Sequence, residues 1–204
     1  MNQKNIMATH PAQNPLHPDH LDYFKRIVNT HLDRLPMIGE NAYVAPGAFL
    51  SGAVTLGSQA SIWPGASLRA DIAPILIGDE SNVQDNAVVH VATDLGTTIG
   101  RRVTVGHGAI VHACTVGNGT LIGMGAIILD GARVGENCLI GAHSTILMNT
   151  DIPAGSMVVG SPARIVRTLS PEEQNSLGAW ADHYLILSQE YRQRGIIHPL
   201  HVHQ

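Results

Sequence analysis

The chain has 204 residues, only 4 % of them aromatic, and 21 glycines; this is length enough for one sizeable core. Twelve Lys and Arg against 16 Asp and Glu give a net charge of −4 with no basic block, which argues against a nucleic-acid partner. No apolar run reaches the roughly 18 residues of a membrane span, no secretory n-region and h-region opens the chain, and two isolated cysteines, Cys114 and Cys138, read as small buried residues of a reducing compartment, so the expectation is a cytoplasmic enzyme.

Residues 1–36 form an extension. Its start, with His10, Pro11, Pro15, His17 and Pro18, is loop-like, and Met7 is a second candidate start. Asp19 to Leu35 offers a short helix with Leu21, Phe24, Ile27, Val28 and Leu32 along one side. Between residues 37 and 165 an aliphatic residue recurs every six positions. One run is Ile38, Val44, Leu50, Leu56, Ile62 and Leu68. Then come Ile77, Val83 and Val89, followed by Ile99, Val105 and Val111. The last run is Val116, Ile122, Ile128, Val134, Ile140, Ile146, Ile152 and Val158. The runs are separated by steps of nine, ten and five.

A repeat this short and this persistent predicts an all-β fold, a parallel β-helix in which each hexad is one strand and its turn. The aliphatic residue points inward, and three hexads make a triangular coil of about eighteen residues. Such a narrow prism leaves no room for rings and needs glycine where corners take positive φ. After the prism, Ser170-Pro171-Glu172-Glu173 forms a capping box with proline at the first helical position. Leu177, Trp180, Tyr184, Leu187 and Tyr191 then make one face of a helix, within 166–195, that lies along the outside of the prism. Residues 196–204 form a tail whose His198, His201 and His203 read as part of a loose arm rather than a metal site.

Counting the aliphatic positions in threes assigns them to faces. Leu50, Leu68, Val89, Val111, Ile128 and Ile146 share one face; Val44, Ile62, Val83, Val105, Ile122, Ile140 and Val158 share a second. Arg69, His90 and His112 each follow a residue of the first face, so they form an outward column on successive coils about 4.8 Å apart. Asp85 and His107 lie two residues after positions of the second face, toward a corner. Three imidazoles meet only if a neighbour brings its His107 to His90 and His112, which threefold packing of triangular prisms achieves. The expectation is a homotrimer with a metal between subunits. Three histidines with an open fourth position form a catalytic rather than a structural pattern.

At these residues the chain resembles the gamma-class carbonic anhydrases. The resemblance rests on Arg69-Ala70-Asp71, on Gln84-Asp85, on His90, and on His107 with His112 five residues later, and it covers roughly residues 37–195. It implies a left-handed β-helix and a trimer holding zinc, or iron(II) or cobalt, through the three histidines. It also implies reversible hydration of carbon dioxide to bicarbonate by a metal-bound hydroxide. Gln84 would orient hydroxide and substrate. Arg69, Asp71 and Asp85 look like the family's interface salt-bridge residues, and Arg69 would alternatively hold the bicarbonate anion. Tyr184 resembles a tyrosine that some members place near the metal, although plain packing on the helix is the stronger reading of it.

Two features depart from the archetypal pattern. Ile72 stands where that member has a glutamate after the aspartate, and Asp94 is the only acid in the short loop after Val89. His143 lies two coils from His112 and is rejected as a proton shuttle. Two rival readings share the architecture: an acyl-CoA thioesterase or hexapeptide acyltransferase, and a non-catalytic trimeric scaffold.

Overall fold

A computed structural model describes residues 17–195; the loop-like residues 1–16, with Met7 and His10, and the tail 196–204 with its three histidines lie outside the described residues. The chain winds into a parallel β-solenoid. One face consists of β2 (Tyr43–Val44), β4 (Ser61–Ile62), β6 (Asn82–Val83), β9 (Thr104–Val105), β12 (Leu121–Ile122), β15 (Leu139–Ile140) and β18 (Ser156–Val159), closed by β19 (Arg164–Thr168). The other two faces are joined in one 11-stranded sheet. Along one of them run β3 (Phe49–Leu56), β5 (Ser67–Ile77), β7 (Val88–His90), β10 (Ile110–His112), β13 (Ile127–Ile128) and β16 (Thr145–Ile146). The third face takes β1 (Met37–Ile38), the later halves of β3 and β5, β8 (Thr97–Ile99), β11 (Thr115–Val116), β14 (Arg133–Val134) and β17 (Asp151–Ile152).

The register follows the six-residue spacing on every face. Leu50 pairs with Leu68, Leu68 with Val89, Val89 with Val111, and Val111 with Ile128. On the second face Ile62 pairs with Val83, Val83 with Val105, and Val105 with Ile122. These aliphatic residues are buried in one continuous core, with alanines such as Ala66, Ala87, Ala109 and Ala126 beside them. Small and medium side chains alone fill the narrow interior, which is why the spacing persists through the prism.

One irregular step has a structural origin that the spacing alone did not reveal. At the nine-residue step after Leu68, β5 continues unbroken for 11 residues and turns the corner, so Leu68 pairs with Val89 while Ile77 pairs with Ile99. β3 rounds the same corner with a register shift between Gly52 and Val54, and Gly52 takes φ +74°. Arg69 and Asp71 therefore sit on a strand.

A glycine directly follows six of the seven aliphatic rung residues of the third face, Gly39, Gly57, Gly78, Gly100, Gly117 and Gly135, and Pro153 follows the seventh, Ile152. At Gly117 a Cβ would stand 2.6 Å from the backbone N of Glu136 and 2.6 Å from the backbone C of Gly135. Backbone on the next coil, itself held in the strand ladder, has no room to retreat. Gly117→Ala is expected to lower stability by about 1–3 kcal/mol through overpacking. A urea titration of both proteins at one concentration checks this, and an unchanged midpoint would show that the coil spacing gives.

Two helices cover the solenoid. The C-terminal helix α2 (Pro171–Gln193) starts with the expected capping box, in which Ser170 Oγ accepts from the Glu173 N–H at 3.2 Å and Glu173 Oε2 accepts from the Ser170 N–H at 2.8 Å. It runs back along the second face. Gln174 bonds the Leu169 carbonyl beside Gly155, Arg102 reaches the Gly178 carbonyl and Asp182, and Arg192 reaches Asn41 beside the first coils. At about 1.5 Å per residue its 23 residues span about 34 Å, and seven parallel strands at about 4.8 Å span about 30 Å, so one helix covers the whole face.

Its buried side differs from the one expected. Leu177, Ala181 and Ser188 are buried, with Tyr184 and Tyr191 packed on Tyr43 and Trp63. Trp180 is 51 % exposed and Leu187 42 %. The stripe that touches the sheet uses small residues, which let the helix approach closely, and leaves two large ones to its side. The N-terminal helix α1 (His20–Leu32) buries Ile27 and packs on β3 and β5, while Leu21 and Leu32, expected on its apolar side, are exposed. Among the described residues no helix is long and apolar enough to cross a membrane.

Candidate functional site

His90 ends β7 and His112 ends β10, and the two are paired in register. Parallel pairing puts both side chains on the outer surface of one face, one coil apart. Their rings stand 5.1 Å apart at the centroids, with His90 Nδ1 3.1 Å from His112 Nε2. The outer nitrogen of each ring meets a carboxylate. His90 Nε2 lies 3.3 Å from Asp71 Oδ1, and His112 Nδ1 lies 2.5 Å from Asp130 Oδ1. Burial, with the Arg69 charge second, pushes the His90 pKa down, while Asp71 opposes this.

Those hydrogen bonds fix which nitrogens face each other. If each outer N–H donates to its carboxylate, both inner nitrogens present lone pairs. Two lone pairs at this separation repel unless a cation or a proton lies between them. Two nitrogens bound to one tetrahedral metal at about 2.0–2.1 Å are about 3.3 Å apart, close to the separation here. The pair therefore fits two corners of a metal site, with outer carboxylates of the kind that orient metal-bound histidines.

His107 stands apart from this pair. It follows β9 on the other sheet, and its Nδ1 lies 3.0 Å from Asp85 Oδ2, leaving Nε2 turned away from that carboxylate. Among the described residues of one chain, no three His, Cys, Asp or Glu side chains are grouped to hold a metal.

Beside His107 is a cavity of about 180 Å³ lined by Gln84, Leu121, Met124, Trp180 and Tyr184. Gln84 is 5 % exposed. Its Oε1 accepts from the His107 backbone N–H at 3.2 Å, and its Nε2 donates to Asn82 Oδ1 at 3.1 Å. Asn82 in turn donates to Thr104 Oγ1 at 3.0 Å. This chain of bonds sets the orientation of the Gln84 amide. Tyr184 reaches the cavity from α2 while its ring packs edge-on against Trp63 at 5.3 Å; burial, and then the Asp85 charge, push its phenol up, so it keeps its proton.

The three residues read as interface salt bridges have partners within the chain. Arg69 pairs with Asp71, Asp71 also bonds His90, and Asp85 bonds His107. Ile72, at the glutamate position of the archetype, packs against the core, and Asp94 is held by the Tyr23 hydroxyl. Sequence reasoning missed Asn82 and Asp130. Strand alternation places Asn82 on the same side as Gln84, and Asp130 stands one coil beyond His112, two residues past Ile128, the partner of Val111.

Comparisons with known proteins place the chain in a family. The bacterial transferase hexapeptide family (six repeats) matches residues 113–147. "Probable carbonic anhydrase" of Methanocaldococcus jannaschii is 44 % identical over 153 residues, covering 75 % of this chain and 96 % of that protein. The chain belongs to the gamma carbonic anhydrase family. "Gamma carbonic anhydrase 2, mitochondrial" of Arabidopsis thaliana is 39 % identical over 84 % of this chain, and the chain spans 63 % of that relative's length. Among solved structures, a Bacillus cereus protein titled "putative acetyltransferase" is similar, with a TM-score of 0.77, 35 % identity and coverage of 79 % of this chain and 94 % of that one. The gamma carbonic anhydrase fold is thus shared with proteins titled as transferases.

Proposed function

We propose that this chain catalyses reversible hydration of carbon dioxide to bicarbonate at a divalent metal held by His90 and His112 of one subunit and His107 of its neighbour in a homotrimer. The observation that carries this is the His90–His112 pair, whose inner nitrogens face each other at 3.1 Å while carboxylates hold the outer ones. His107 follows β9, a strand of the other sheet, so in this reading the third imidazole comes from another copy. Imidazole donors suit zinc, and iron(II) or cobalt as well. Unpaired, buried Cys114 and Cys138 agree with a cytoplasmic setting.

The metal supplies the Lewis acidity that makes water a nucleophile near neutral pH. The chain's own residues do the rest. In the reaction the water oxygen would bond to carbon, one C–O π pair would move onto oxygen, and the water's proton would pass to solvent or buffer. Gln84 has two amide hydrogens, and Asn82 takes one; the second is free to hold a substrate oxygen in the cavity. Arg69, half-exposed beside His90, offers its guanidinium to the anion formed.

Stopped-flow carbon dioxide hydration on metal-quantified protein tests the proposal. Activity in the wild type, with a loss of more than about 100-fold in His107→Ala, is expected; equal rates in the two would overturn it. A second reading, hydrolysis or transfer of an acyl thioester, is favoured by the likeness to proteins titled as transferases and by the apolar lining of Leu121, Met124 and Trp180. Acetyl-CoA turnover without carbon dioxide hydration would select it.

A further inference from the structure

Each of the three histidines has its own aspartate: Asp71 for His90, Asp85 for His107 and Asp130 for His112. Two of these aspartates are neighbours in the sequence motifs. Asp130 is not, and it comes from the next coil.

We infer that Asp130 is a positioning residue that holds His112 in the tautomer and orientation a metal ligand needs; this rests on the metal reading above. A neutral imidazole carries one proton, on either nitrogen. The carboxylate 2.5 Å from Nδ1 accepts that proton's hydrogen bond, so Nδ1 keeps it and Nε2, the nitrogen facing His90, keeps its lone pair. Without Asp130 the proton is free to sit on Nε2, where it competes with a cation, and the ring is free to turn.

The fold places Asp130 for this task. The coil after Val111 is one residue short, because Val111 pairs with Ile128 rather than with a residue eighteen positions on. Ala113 takes φ +46° and its carbonyl accepts from the Gly131 N–H at 2.7 Å, while its N–H donates to the His90 carbonyl at 3.0 Å. That corner is therefore tied to the His90 coil on one side and to the Asp130 coil on the other. The Asp130 backbone is fixed in turn, with its carbonyl accepting from the Asn149 N–H at 2.9 Å. The aspartate is part of a ladder, and it approaches the outer edge of the ring from the side opposite His90.

The test titrates Co²⁺ against a chromophoric chelator on the wild type, Asp130→Ala, Asp130→Asn, His112→Ala and the control Asp151→Asn, whose carboxylate serves Arg133 instead. Proton–nitrogen correlation NMR reads the histidine tautomers in the metal-free proteins. We expect Co²⁺ affinity to fall about 10–100-fold in Asp130→Ala, less in Asp130→Asn, and to stay within about twofold in the control. We also expect the His112 ring to shift toward the Nε2–H form in the Asp130 variants alone, which a merely structural role would not produce. Asp130→Asn keeps the side-chain shape and carries the test if the alanine variant melts early. Unchanged affinity and tautomer in the Asp130 variants, with His112→Ala impaired, would overturn this inference alone. A wild type that does not bind Co²⁺, or a His112→Ala that binds it equally well, would overturn it together with the metal reading.

Discussion

Mixing His107→Ala chains with His112→Ala chains should restore about one quarter of wild-type carbon dioxide hydration, although each variant alone has lost nearly all of it. In the proposed ring of three, every site would draw His107 from one subunit and the His90–His112 pair from the next. With equal numbers of two damaged chains, each half of a site is intact about half the time, and both halves about a quarter of the time. His112 ends a strand of one sheet and His107 follows a strand of the other, and they are tied to different aspartates, so neither substitution disturbs the other's surroundings. Refolding or co-expression of the mixture, followed by stopped-flow rates, reads the outcome. A mixture as inactive as its components would place all three ligands in one chain and refute the shared site.

The second large effect is on stability. Ile122→Ala should cost about 2–5 kcal/mol, the range for truncating a buried aliphatic residue. Ile122 is 0 % exposed and its rung partners are Val105 and Ile140. In a helical protein, neighbours shift into such a gap. Here they are fixed at the ladder spacing above and below, and the three walls cannot lean inward without breaking strand pairs, so the cavity stays. Leu121, one residue earlier and facing outward, is the control: Leu121→Ala loses only partial burial and should cost far less. Urea midpoints at one protein concentration compare the two, concentration being held because association shifts apparent stability. Equal midpoints would show that the interior repacks.

The six-residue spacing was legible because it records a steric constraint rather than a preference. Every rung admits one medium aliphatic residue, so the positions of Val83, Val105 and Ile122 on one face follow by counting, and with them the placing of His90 beside His112 and of His107 away from both. Counting failed where the backbone departed from the unit. A step of nine from Leu68 to Ile77 suggests a loop, and the same stretch makes a strand that bends round a corner. The face of α2 was misjudged for a different reason. Trp180 and Leu187 fall at helical spacing with Tyr184, but hydrophobicity cannot tell which of two overlapping stripes is covered. Ala181 and Ser188 decide it, since their small size permits the approach that buries Leu177 and Tyr184. Asp130 is invisible to a count of rung partners because its side chain reaches back across a coil that is one residue short.

β19 has a consequence for the protein's behaviour in a crowded cell. All the strands up to β18 run the same way, and a stack of that kind has no intrinsic end: its last coil offers bare amide and carbonyl groups in the polarity that the first coil of another molecule would match. β19 folds back and pairs antiparallel with β18, with Arg164 and Arg167 along it. It gives the second face an outer edge of opposite direction, on which Arg167 is paired with Glu173. An incoming first coil must register on three faces at once, so reversal of one is enough to refuse it. The hairpin is a stop signal against end-to-end polymerisation, written into the last residues before the helix.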